Sequence, residues 1–110
     1  MFSMISMGQL ERYLERKLED QLDFTLLDVR SRQEFLDGHL VGAVNIPLEE
    51  VELWAGSSQV GLSYNLPVIV YCGHGSKSLM AARMLDQMGF SVLAAAGGLA
   101  SYRGKYYKSI

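Results

Sequence analysis

Four apolar, mostly β-branched residues, Val68-Ile69-Val70-Tyr71, run directly into the only cysteine of the chain, Cys72. A short stretch, Gly73-His74-Gly75-Ser76-Lys77-Ser78, follows and leads into a helical pattern. A buried strand that stops at a tight loop and reopens as a helix is one half of a βαβ unit, and such units build parallel sheets. The same alternation recurs along the chain. Residues 8–20 read as an amphipathic helix, with Leu10, Tyr13, Leu14, Lys17 and Leu18 at helical spacing. Thr25 to Val29 reads as a strand. Ser31 with Glu34 three residues on has the form of a capping box and starts a short helix that Gly38 ends.

Further on, Ala43 to Ile46 reads as a strand closed by Pro47, Leu48 to Trp54 as a helix, and Gly56 to Pro67 as loop. The clearest elements are the strand Val68 to Cys72 and the helix Lys77 to Met88. Met80, Met84 and Met88 recur at every fourth position of that helix, a spacing expected to pack against the sheet. Ser91 to Ala95 reads as a strand, Gly97-Gly98 as a turn, and Leu99 to Tyr107 as a closing helix. The expectation is an α/β fold with a central, mainly parallel sheet covered on both faces. Ligands of such sheets sit beyond the carboxyl ends of the strands. Cys72 occupies such an end.

The 110 residues are 49% apolar, enough for a single core, and are read as one domain. No apolar run approaches the length a helix needs to cross a bilayer, and Met1 to Met7 lacks the basic and apolar regions of a secretory signal. One cysteine makes no internal disulfide, so a reducing, cytoplasmic setting is expected. One cysteine and two separated histidines offer no metal-ligand cluster, and no cofactor is expected. Charge is unevenly spread. Residues 1–53 carry 11 acidic and 5 basic side chains, a balance of −6; residues 54–110 carry 5 basic and one acidic, a balance of +4. The Cys72 loop lies in the basic half, which favours an anionic substrate there. The tail Tyr102-Arg103-Gly104-Lys105-Tyr106-Tyr107-Lys108 interleaves aromatic and basic residues but is short, and no nucleic-acid partner is expected.

A lone cysteine on an apolar strand is ordinarily a small buried hydrophobe. The loop argues otherwise. Two glycines within three residues of Cys72, with Lys77, Ser76 and Ser78, are poor material for core packing. A loop that opens a helix presents backbone N–H groups and the positive end of the helix dipole. Such surroundings stabilise the thiolate, the form that attacks.

The run Leu26-Leu27-Asp28-Val29-Arg30, then Glu34-Phe35, Gly38-His39-Leu40, Gly42-Ala43 and Asn45-Ile46-Pro47, resembles the amino-terminal signature of rhodanese-like domains. The Cys72 loop and the Gly97-Gly98 turn follow in that family's order, so the resemblance spans roughly residues 8 to 107. It implies a three-layer α/β/α fold of about five strands. It also implies a sulfurtransferase, in which Cys72 takes a sulfane sulfur from a small anionic donor such as thiosulfate and passes it to cyanide, a thiol or a protein acceptor. By the same resemblance, Gly73, His74, Gly75, Ser76, Lys77 and Ser78 form the substrate loop. Lys77 stands where many members have arginine, and Ser76 and Ser78 either meet the anion or cap the helix. Asp28 and Arg30, at the end of the first strand, are read as organising neighbouring loops, with the alternative that Arg30 reaches the pocket; Glu34 and His39 read as structural. The family's tryptophan after the Gly-Gly turn is replaced by Tyr102 or absent.

Two other functions use related machinery. A persulfide carrier or regulatory module would keep the same residues. Cysteine-dependent phosphatases and arsenate reductases of similar fold need an arginine at the sixth position after the cysteine, and that position here is Ser78. The loop is one residue short of that pattern, which suits a sulfane sulfur better than a phosphate.

Overall fold

The computed structural model describes residues 1–57 and 62–109. Its centre is a five-stranded, all-parallel sheet built from β1 (Ser3–Ser6), β2 (Thr25–Asp28), β4 (Val44–Asn45), β5 (Val68–Tyr71) and β6 (Val92–Ala96). The spatial order is β1-β6-β5-β2-β4, with β5 central. Helix α1 (Met7–Leu18) covers one face; α3 (Val51–Trp54) and α4 (Ser76–Gln87) cover the other. The short α2 (Arg32–Asp37) leads into β3 (Gly38–Leu40), which pairs antiparallel with β7 (Tyr107–Ser109) as a separate ribbon. Of the expected loop Gly56 to Pro67, residues 58–61 lie outside the described residues.

The apolar run of β5 works on both faces at once. Val68 and Val70 pack among Ala81, Ala82 and Leu85 of α4, while Ile69 and Tyr71 pack with Leu10 and Leu14 of α1. A strand buried on both faces needs an unbroken apolar sequence, which is why 68–71 is so legible. Each fully buried Leu or Ile, such as Leu10, Leu27 and Ile69, contributes about 1.5–3 kcal/mol from removal of apolar surface from water.

Several local expectations change. The expected closing helix over Leu99 to Tyr107 is only a 3₁₀ turn, Leu99–Ser101, followed by extended chain and β7. The Tyr102 hydroxyl donates to Glu11 Oε1 and accepts from the Tyr106 N–H at 2.9 Å, and the Lys105 N–H reaches Glu11 Oε2 at 3.3 Å. These bonds pin the tail to α1 and hold it open. Burial, and then the bond to Glu11, push the Tyr102 phenol above its ordinary range. In the methionine series, Met84 and Met88 pack against the core but Met80 is 51% exposed. Every-fourth spacing drifts by about 40° per step on a 3.6-residue helix, so one end of such a series leaves the face. Leu18, at the end of the α1 series, is likewise exposed.

The end of β2 is fastened by a buried ion pair. The Asp28 carboxylate, fully buried, accepts from Arg30 Nη2 at 2.8 Å, from Arg30 Nε at 3.1 Å and from the Arg30 backbone N–H at 2.8 Å. Arg30 Nη2 also donates to the Gly38 carbonyl at 2.5 Å, tying β2 to β3. Burial alone would lower the Arg30 pKa, but the Asp28 hydrogen bond and charge leave it raised. Asn45 Nδ2 donates to the carbonyls of Asp28 and Arg30 and holds the same exit. Breaking a buried pair from one side leaves an uncompensated charge. Asp28→Asn is therefore expected to cost about 3 kcal/mol in urea unfolding; a loss below about 1 kcal/mol would show that the pair does not fasten this edge.

Candidate active site at the Cys72 loop

The chain leaves β5 at Tyr71, and Cys72 is the next residue. Gly73 to Gly75 form the bend, and α4 begins at Ser76. Gly75 takes φ +104° at the helix N-cap, and a Cβ there would lie 2.9 Å from the Gly97 nitrogen. Left-handed backbone and a close neighbour both demand glycine. The bend turns N–H groups inward. Cys72 Sγ accepts from the Gly75 N–H at 3.0 Å and from the Ser78 N–H at 3.2 Å. Donors held in place by the backbone suit a sulfur that carries negative charge.

A second turn locks the first. Gly98 takes φ +61°, and a Cβ on it would come within 2.5 Å of the Cys72 carbonyl oxygen and of the Gly73 carbonyl carbon. With no side chain in the way, the Leu99 N–H donates to the Cys72 carbonyl at 2.8 Å and the Ala100 N–H to the Gly73 carbonyl at 2.9 Å. The first two carbonyls of the loop are thereby held on the outside.

The loop residues divide by position. Gly73 and His74 line a cleft of about 470 Å³ together with Arg30, Glu34, Leu99, Ala100, Tyr102, Gly104 and Tyr107. Cys72 itself is only 1% exposed and is not among the lining residues; its neighbours Gly73 and His74 are. Ser76 and Lys77 are exposed at the start of α4. Ser78 is buried, and its hydroxyl donates to the Gly75 carbonyl at 2.9 Å and towards the Ala95 carbonyl at 3.3 Å. Its side chain therefore neither caps α4 nor faces the cleft; its backbone N–H serves the sulfur. Asp28 sits beneath, out of contact with the cleft, and acts on it through Arg30.

Some cleft residues escape the sequence reading. Glu34 accepts from the Ser31 hydroxyl and backbone, as a capping box requires, yet it also forms part of the wall. Those bonds, and the charges of Arg30 and Lys77 nearby, hold its carboxyl below the ordinary range. His39 stays out of the cleft, stacked on Phe35 with ring centroids 3.8 Å apart. Leu99, Ala100 and Tyr107 carry no chemical signature in the sequence, and only the Gly97-Gly98 turn hinted that this segment meets Cys72. Among the described residues no group of three or more His, Cys, Asp or Glu could hold a metal ion.

Gly98→Ala tests the lock. The added methyl meets backbone rather than a movable side chain, so a loss of about 2–3 kcal/mol is expected in urea unfolding. A change within about 0.5 kcal/mol would mean that the two turns do not depend on each other.

The family model for the Rhodanese-like domain matches residues 9–105. Thiosulfate sulfurtransferase GlpE of Shewanella oneidensis is 29% identical over 102 residues, covering 92% of each chain. YrkF of Bacillus subtilis, a protein with a sulfur-carrier name, is 34% identical over 92 residues, which is 83% of this chain and 48% of that one. The chain spans about half the length of YrkF and between 16% and 25% of three other relatives. The solution structure of the rhodanese-like domain of the Anabaena protein Alr3790 superposes with a TM-score of 0.77 at 31% identity, over 99% of this chain and 79% of that one.

Proposed function

This chain belongs to the rhodanese-like domain family, and we propose that it is a sulfurtransferase in which Cys72 carries the transferred sulfur as a persulfide. The observation that carries this reading is the pair of backbone N–H donors, from Gly75 and Ser78, aimed at Cys72 Sγ. The Cys72 thiolate attacks the outer sulfur of thiosulfate. A Sγ–S bond forms, the S–S bond of the donor breaks, and sulfite leaves with the electron pair. A nucleophile such as cyanide or a thiolate then attacks the terminal sulfur, and the electron pair of the Sγ–S bond returns to Cys72. Both half-reactions begin or end with negative charge on Sγ, where the fixed N–H groups act.

Lys77 is the exposed cation of the loop and is read as drawing in the anionic donor as a point charge. The chain has no second cysteine to attack the persulfide, so the acceptor is external. A cysteine that must remain a free thiol suits a reducing compartment, and a cytoplasmic setting is proposed on that ground. Phosphate chemistry fits less well. The sixth position after Cys72 is Ser78, whose hydroxyl is occupied by backbone carbonyls, and it offers no guanidinium fork for a tetrahedral anion.

Thiocyanate formation from thiosulfate and cyanide tests the reading. Wild type is expected to turn over, and Cys72→Ser to lose at least about a hundredfold in rate; equal rates in the two would sink the assignment. Lys77→Ala is expected to raise KM for thiosulfate about fivefold, the worth of about 1 kcal/mol of exposed ionic attraction, with unfolding stability unchanged. An unchanged KM would remove Lys77 from donor binding.

A further inference from the structure

Away from the Cys72 cleft, α3 packs beside α4, and two adjoining recesses open along the seam. One, of about 430 Å³, is lined by Leu48, Glu49, Glu52, Leu53 and Met84. The other, of about 270 Å³, shares Glu52 and Met84 and adds Gln87 and Met88. None of these residues lines the cleft beside Cys72. Leu48, Met84 and Met88 are partly buried and rest on the core, so the floor of this groove is apolar. Leu53 is 71% exposed, and Trp54 and Met80 on the same two helices are exposed as well. Apolar side chains grouped in this way at a groove mark a surface that something covers.

The rim of the groove has one sign. Glu49 and Glu52 line the recesses, Glu50 lies between them in sequence, and all three are exposed. No lysine or arginine lines either recess. Among the described residues none of the three carboxylates makes an ion pair. An apolar floor under an unpaired acidic rim is complementary to a segment with apolar residues on one side and basic residues beside them. A helix has that form, with anchors at i, i+3 or i+4, and i+7 entering successive recesses. Methionine suits the floor, because its unbranched side chain adapts to what enters. A second copy of this chain has no such helix to offer: α1 and α4, the longest described, already bury their apolar sides in their own core.

We propose that the groove between α3 and α4 docks an amphipathic helix of a partner protein, with aliphatic anchors on one face and lysine or arginine flanking them. Leu53, Met84 and Met88 meet the anchors, and Glu49 and Glu52 pair with the flanking cations. Such docking needs no chemistry at Cys72 and stands apart from the sulfur-transfer reading. The two surfaces are nonetheless joined by one helix. α4 begins at Ser76 in the Cys72 loop, and Met84 stands eight residues on, about 12 Å along the helix. A partner held on the groove leaves the Cys72 cleft open.

The probe is a fluorescein-labelled peptide of leucine and lysine at helical spacing, about 14 residues long so that it can fold on binding. The same peptide with glutamate in place of lysine is its control. Anisotropy gives Kd in about 0.15 M salt, where distant charge attraction is screened. Wild type is expected to bind the lysine peptide near about 10 μM, and about tenfold or more tighter than the glutamate peptide. Glu49→Lys combined with Glu52→Lys should weaken binding about tenfold, and Leu53→Ser about fivefold. Glu15→Lys combined with Glu19→Lys on α1 makes the same change of net charge elsewhere and should alter Kd less than about twofold. All five side chains are exposed or half-buried, and circular dichroism checks the fold of each variant. No binding to wild type, equal affinity for the two peptides, or equal weakening by the α1 pair overturns the docking site. A Kd that Leu53→Ser leaves unchanged does so too. Dimerisation of wild type that Leu53→Ser abolishes would place a second copy on the groove and overturn the partner helix.

Discussion

The N–H groups of Leu99 and Ala100 take the carbonyl oxygens of Cys72 and Gly73, and the rest of the site follows from that contact. A six-residue loop around a sulfur atom has as many carbonyls as N–H groups. If the carbonyls turned inward, they would repel the charge that the sulfur must bear. Held from outside, they leave the inward side to the N–H groups of Gly75 and Ser78. The cost is two glycines with positive φ, at 75 and 98, each facing backbone that no Cβ could share. Backbone alone thus builds the polar environment of Cys72, and its donors need no side-chain rearrangement during reaction.

The sheet explains why these parts meet. All five strands are parallel, so the segments after β2, β4, β5 and β6 emerge at one edge. Arg30 follows β2, Cys72 follows β5, and the Gly97-Gly98 turn follows β6. The Asp28–Arg30 pair fixes the first of these, and through the Gly38 carbonyl it fixes β3 and the ribbon that carries Tyr107. The cleft is therefore walled by pieces from both ends of the chain. Its far wall depends on Glu11 of α1, which holds Tyr102 and the Lys105 N–H.

What was legible in the sequence is what has a local cause. The strand 68–71 is buried on both faces, so its composition alone announces it. The Ser31–Glu34 capping box is a contact between near neighbours and appears as read. Cys72 stood out because its glycine-rich loop made no sense as core. The elements that were missed or misread have distant causes. β1 is an edge strand in which only Ile5 is buried, too little for a period to show. The tail from Tyr102 has helix-compatible residues, but its shape is set by Glu11, more than ninety positions away in the chain, and by pairing with β3. Glu34 was recognisable as a cap and not as a cleft wall, since one side chain does both. Ser78 offered a hydroxyl to the eye and contributes an N–H instead.

The central claim is that Cys72 holds the sulfur in transit. The most direct measurement is the mass of the intact protein after exposure to thiosulfate, followed by mapping of the peptide that contains Cys72. The account predicts one added sulfur atom, located on Cys72, removed by cyanide and absent from Cys72→Ser. An unmodified Cys72 in protein that nonetheless converts thiosulfate and cyanide to thiocyanate would contradict it.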